Sequence, residues 1–159
     1  MFPLRINRPR ELRRGTAIVE TAFVLPVFLL LLFAMLEFSH ALMVKNVLRG
    51  ACRSAARMAS TGGLSTTDIE SYVKQMVGSA ISADNVLVFV KDASSFDQGG
   101  AVSSSGAAME SLPDMDLANA ESRALFMVRA RVNYIDAALV PMPFSTGIVL
   151  EGQAFTRIE

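Results

Sequence analysis

Tryptophan is absent from this chain of 159 residues, histidine and cysteine occur once each, and tyrosine occurs twice. A single cysteine excludes an internal disulfide framework and any cysteine-rich metal site. Charge is sparse, at 19% of residues, and balanced, with 15 basic against 15 acidic side chains. Zero net charge argues against nucleic acid as a partner, because phosphate requires a basic face. G-x-S-x-G, a glycine-rich phosphate loop and paired metal ligands are all missing, so neither an enzyme nor a bound cofactor or metal is expected.

The even balance conceals an asymmetry. Residues 1–15 carry five arginines and one glutamate, a net +4, and the remaining residues carry ten basic and fourteen acidic groups, a net −4. The apolar fraction is 52%, high for a water-soluble domain, and its excess lies near the start. TAFVLPVFLLLLFAML, Thr21 to Leu36, has no charge and is bounded by Glu20 and Glu37. As a helix that run is roughly 24 Å long, against a hydrocarbon core of about 30 Å. Adding Ala17–Val19 and Phe38–Val44 completes a span, so residues 16–44 are expected to form a transmembrane helix. Pro26 lies within it and is expected to kink it, a disturbance that membrane helices tolerate.

Two other readings of the same start stay open. Ser39-His40-Ala41 has the small-x-small form of a signal-peptide cleavage site, which would release a secreted domain after Ala41. Orientation is open as well. The leader arginines favour a cytoplasmic N-terminus, but Lys45, Arg49, Arg53 and Arg57 stand on the other flank.

Beyond the span, ALMVKNVLRGACRSAARMAS continues in helical pattern. The four basic residues recur every fourth position beside a face of Leu48, Ala51, Cys52, Ala55 and Ala59, whose small side chains permit close approach of a sheet or helix. One continuous helix of about 45 residues is expected, ended by Thr61-Gly62-Gly63 in left-handed conformation. Thr67-Asp68-Ile69-Glu70 fits a capping box for a second helix with Ile69, Val73, Met76, Val77 and Ala80 inward. Val86–Val90 reads as a buried strand, Lys91–Asn119 as a polar connection, and Tyr134–Phe144, with Pro141 and Pro143, as another. Phe126, Val128, Ala130 and Val132 alternate with Met127, Arg129 and Arg131. Ile148, Leu150, Ala154 and Ile158 share a face opposite Glu151, Gln153 and Arg157. The fold class is α+β: a long N-terminal helix, one short helix and a small antiparallel sheet covered by the alanine-rich half of the long helix. His40 is expected at the membrane interface and Cys52 in packing, neither with a partner. Asp114, Asp116 and Glu121 read as solvated loop charges.

Arg13-Arg14-Gly15-Thr16-Ala17-Ile18-Val19-Glu20 sets a basic leader, a glycine, an apolar helix start and a carboxylate five residues past the glycine. It resembles a type IV prepilin processing site. The longer stretch, with Leu25-Pro26, Glu37-Phe38 and the Ala-Arg run to Arg57, resembles TadE-type pseudopilins of the tight-adherence (Tad/Flp) pilus system. Ala154 to Glu159 is similar to the family's ending. The resemblance implies a leader of residues 1–15 cut by a prepilin peptidase after Gly15, a membrane helix of residues 16–44 and an extracytoplasmic domain of residues 45–159. It implies residence in the bacterial inner membrane with a periplasmic domain. The implied partners are other Tad/Flp pilins and pseudopilins and the pilus assembly platform. The implied role is that of a minor pseudopilin in assembly and surface adhesion, with Glu20 pairing the new Thr16 amine of a neighbouring subunit. Thr21 stands where the major Flp pilins have tyrosine, and those pilins are much shorter; both points favour a minor subunit. A single-span sensor or scaffold is the competing reading.

Overall fold

The structure is a computed structural model that describes residues 11–97, 99, 105–140, 145 and 147–159, with only the backbone of 11–14. Most of the expected leader, and the segment holding Pro141 and Pro143, lie outside the described residues. The chain divides into two units, Met1–Phe38 and Ser39–Glu159. Helix α1, Glu11–Ser60, belongs to both. It stays helical through Pro26, whose missing N–H leaves the Ala22 carbonyl without its usual intrahelical donor. Gly62 and Gly63, at φ 77° and 80°, end it in the left-handed conformation that a side chain disfavours.

In the second unit, α1 is followed by α2 (Thr66–Val77), β1 (Leu87–Asp92), α3 (Gly106–Glu110), β2 (Leu125–Asn133), α4 (Tyr134–Ala137) and β3 (Val149–Arg157). The strands form an antiparallel sheet in the order β1-β2-β3. Val88 stands opposite Ala130, and Ala130 opposite Gly152. Alternation along β2 assigns the faces. Phe126, Val128, Ala130 and Val132 share one core with Val44, Leu48, Ala51, Cys52, Ala55 and Ala59 of α1 and with Ile69, Val73 and Val77 of α2. The α+β reading and the coverage of the sheet by α1 therefore hold.

Several local expectations are corrected. The box that starts α2 is Ser65 with Asp68, two residues earlier than the Thr67–Glu70 pair. The Ser65 hydroxyl accepts from the Asp68 N–H at 3.2 Å, and the Ser65 N–H donates to Asp68 Oδ2 at 3.0 Å. These Ser65 hydrogen bonds hold the Asp68 carboxyl below its ordinary range. Met76 is exposed and Ala80 lies past the helix end, because the buried stripe runs through 69, 73 and 77. Strand β1 is half-covered, with Leu87 exposed. Its open side receives residues 113–115: Asp92 N–H donates to Pro113 O at 2.9 Å, and Met115 N–H to Val90 O at 3.2 Å.

The largest correction concerns residues 91–119. Their described part holds α3 and supplies Ala93 and Met109 to a second, smaller core with Met127 of β2, on the sheet face opposite α1. Asp114, although exposed, pairs with Lys91 at 2.7 Å. Asp116 caps a short 3-10 turn through the Ala118 N–H at 3.1 Å.

Candidate functional site: an apolar helix surface and the domain that carries it

From Ile18 to Phe38, α1 shows water an almost unbroken apolar surface. Phe23 is 76% exposed, Ile18 70% and Leu30 67%, with Val24, Val27, Leu31 and Phe33 all above half. A surface this continuous marks a lipid or apolar-partner contact. The helical form suits it, since nearly every backbone group is satisfied within the segment. The helix is long and apolar enough to cross a membrane, and its most apolar window has no residue buried within the chain.

Near the start of this surface stand the residues singled out in the sequence. Gly15 lies inside α1, and a Cβ placed there would meet nothing within 4 Å. Packing among the described residues therefore does not account for a glycine at this position. Thr16 and Glu20 follow on the same helix, and Glu20 is an exposed carboxylate between Val19 and Thr21. Thr21 turns its hydroxyl back to the Ala17 carbonyl at 2.8 Å, which hides its polarity from an apolar surrounding. Glu37, at the far boundary of the run, is buried.

In the second unit, Arg49, Arg53 and Arg57 are exposed and Lys45 is half-buried. No ion pair links them to another described residue. Arg53 and Arg57 line a cavity of about 330 Å³ with Ala154, Phe155, Thr156 and Glu159 of the β3 end. Cys52 is buried, and its thiol donates to the Gly152 carbonyl at 3.3 Å. Burial pushes that thiol up to about 12, which leaves it protonated and unreactive at neutral pH. His40, expected without a partner, has its Nε2 2.8 Å from the Ala137 carbonyl.

Sequence reasoning assigned Arg129 and Arg131 to the face opposite the core but missed what they build. Arg129 is 2% exposed. It donates from Nη1 to Gln153 Oε1 at 2.8 Å and from Nη2 to Glu151 Oε2, and its Nε lies 3.6 Å from Glu110 Oε1. Arg131 donates from Nη1 to both Glu110 oxygens at 2.7 Å, with its guanidinium 5.5 Å from the Phe89 ring centre. Gly106 lies so close that a Cβ would stand 2.7 Å from Arg129 Nη2. The network fastens α3 to the sheet. A signal was present in the alternation that sets Arg129 and Arg131 across from Gln153 and Glu151; Glu110, from a stretch read as connection, had none. Among the described residues, no three His, Cys, Asp or Glu side chains gather as metal ligands do.

A family described as TadE-like protein matches residues 15–57. That segment holds Gly15, Glu20, the apolar surface and the arginine stripe to Arg57. No curated protein and no solved structure matches the chain.

Proposed function

We propose that this chain, a TadE-like protein of the Tad pilus systems by its residues 15–57, is a minor pseudopilin anchored in the inner membrane by α1. On this reading a prepilin peptidase removes residues 1–15 on the cytoplasmic side. The mature helix stays in the bilayer, the α+β unit stands in the periplasm, and the subunit helps to initiate or support assembly of the pilus with other Tad/Flp pilins and the assembly platform. The observation that carries the proposal is the coincidence of the family match with an exposed apolar helix surface. Two features support its details. Among the described residues, nothing packs against Gly15 that would explain its lack of a side chain. The leader's arginines accord with a cytoplasmic N-terminus.

The test is the mass of the intact protein extracted from membranes of a pilus-producing strain. Loss of residues 1–15, dependent on the peptidase and blocked by Gly15→Leu, is expected; an unchanged full-length mass overturns the processing reading. Protease added to spheroplasts is expected to degrade the chain beyond residue 60, and protection of that region overturns the periplasmic placement.

A further inference from the structure

We infer that the end of the α+β unit nearest the apolar run is itself a lipid-contacting surface, which lies in the interface of the bilayer that α1 enters. The inference deepens the membrane-anchor reading above and rests on it.

Three contacts order the unit along α1. His40 Nε2 meets the Ala137 carbonyl of α4 at 2.8 Å. Gly152 of β3 lies against Leu48 and Arg49, and a Cβ there would fall 2.5 Å from the Arg49 nitrogen. The Glu159 N–H donates to the Ser60 carbonyl at 3.0 Å. Along this half of α1, β3 therefore runs in the same sense as the helix, with its start, and with it the β2 end and α4, at the level of His40. Tyr134 N–H donates to Ile148 O at 2.9 Å, which ties α4 to the residue just before β3. Phe38, where the exposed apolar surface of α1 ends, lies two positions before His40 in the chain.

The two ends of the unit differ in chemistry. At the His40 end, large apolar side chains stand in the open: Leu42 of α1, Ile135 of α4, Leu139 and Val140 after it, and Ile148 and Val149 at the start of β3. Leu139 is 62% exposed. The described residues between Ala137 and Leu150 carry no charge. Nearby, Asp136 of α4 accepts from the Asn133 side-chain amide at 3.2 Å. The far end instead carries charge. Arg157 pairs with Asp97 at 2.7 Å, with both side chains well exposed, and Arg123 and Glu159 are also exposed there.

Exposed apolar side chains gathered at one end of a unit are unfavourable in water and mark a contact. An interfacial surface of this kind sinks several ångströms into the boundary between headgroups and acyl chains. The occupant is the bilayer, because this end of the unit follows directly along the chain on the membrane-competent run, and its exposed side chains are mostly apolar. Such a contact would fix the tilt of the periplasmic unit on the membrane, ahead of any encounter with another subunit.

The absence of tryptophan supplies the test. Leu139→Trp, Leu30→Trp and Phe155→Trp each place a single tryptophan, excited apart from the two tyrosines, in the full chain. Each variant is reconstituted at high lipid excess into phosphatidylcholine vesicles, with or without bromine on the acyl chains near the glycerol. Quenching by brominated lipid is expected for Leu30→Trp and Leu139→Trp, with a blue-shifted emission, and not for Phe155→Trp, which lies beyond Gly152 toward the charged end. Ile148→Trp serves the same purpose should Leu139→Trp fold poorly by circular dichroism. Quenching of Leu30→Trp alone, or equal behaviour at 139 and 155, overturns the inference and leaves the anchor standing. Absence of quenching at all three positions overturns the anchor reading and this one with it.

Discussion

Gly152 of β3 lies directly against the backbone of Arg49 in α1: a Cβ on the glycine would stand 2.5 Å from the Arg49 nitrogen and 2.9 Å from its Cα. Most α1 residues that follow at this face are small, with Ala51, Cys52 and Ala55 buried beyond Leu48. Helix and sheet thus meet backbone to backbone, and neither side has a flexible side chain to yield. Gly152→Ala is expected to destabilise the unit by about 1–3 kcal/mol, the range for overpacking. Gly50→Ala is the contrasting change. It lies on the exposed side of the same helix, where a Cβ meets nothing within 4 Å, and alanine should gain up to about 1 kcal/mol there through helix propensity. Thermal unfolding of the detergent-solubilised chain reads both, and the opposite signs are the expectation.

Arg129 gives a second prediction. Its guanidinium is buried between Glu110, Glu151 and Gln153. Arg129→Ala removes the shared cation and leaves Glu110 and Glu151 without it. Breaking a buried pair costs about 3–5 kcal/mol when the remaining charge is shut from water. Here Glu151 is 44% exposed at its side chain and Glu110 19%, and Arg131 still holds Glu110, so about 2–4 kcal/mol is expected. Glu151→Gln should cost less than about 1 kcal/mol, as a partly screened pair does. Urea unfolding checks the order. In addition, Arg129→Ala should make the region around α3 more susceptible to proteolysis than the α1 core.

Cys52 carries a pH dependence. Its thiol is pushed up to about 12 by burial, against about 8.5 in an unfolded chain. Below about pH 8.5 both states hold the proton, and the thiol adds no pH dependence. Between about pH 8.5 and 12 the unfolded state loses the proton and the folded state keeps it. Stability therefore falls as pH rises, on the order of 1 kcal/mol per pH unit across that window. Cys52→Ala is expected to lose this slope while keeping the neutral-pH behaviour of a slightly less well-packed core. Maleimide should label Cys52 of the folded chain only slowly at neutral pH, and rapidly once denaturant is added. Comparison of unfolding midpoints at pH 7 and pH 10 for the two proteins checks the sign.

What could be read without a structure follows the strength of the local periodicity. The α1 core face, Leu48 to Ala59, was legible because small apolar residues recur on a helical repeat beside arginines. The two faces of β2 were legible because alternation places each residue. The α2 cap was misplaced because Ser65–Asp68 and Thr67–Glu70 offer two overlapping boxes, and the hydrogen bonds of Ser65 with Asp68 decide between them. Residues 91–119 were illegible for another reason. Their order comes from long-range partners, Glu110 to Arg131 and Asp114 to Lys91, and no local pattern encodes a partner that far along the chain. The same holds for His40, whose contact with Ala137 spans 97 positions. At the candidate site, Gly15 and Glu20 stood out through their resemblance to a prepilin processing site, and the structure adds that a Cβ at Gly15 would meet nothing within 4 Å among the described residues.

Glu20 supports the last prediction. It is an exposed carboxylate on the part of α1 where Ile18, Val19, Phe23 and Val24 are also exposed. Once the proposed cleavage makes Thr16 the first residue, Glu20 lies in the first turns of the helix, where a lone glutamate contributes at most about 0.3–1 kcal/mol through the dipole. If that were its whole role, Glu20→Gln would be nearly silent in assembly. Under the proposed processing, however, cleavage creates an amine at Thr16, and a neighbouring subunit's amine can be neutralised by Glu20 in a medium of low dielectric. Removing one member of such a pair leaves the other charge unmatched, a loss of about 3–5 kcal/mol where water is excluded. Insertion should not weaken, since the change makes the helix more apolar. The expected outcome for Glu20→Gln is a normal membrane level and normal processing, with reduced in vivo crosslinking to pilus components and poor piliation. Full piliation with unchanged crosslinking would reduce Glu20 to a helix-end residue. Lower membrane levels would instead place its role in insertion, against the direction that its charge predicts.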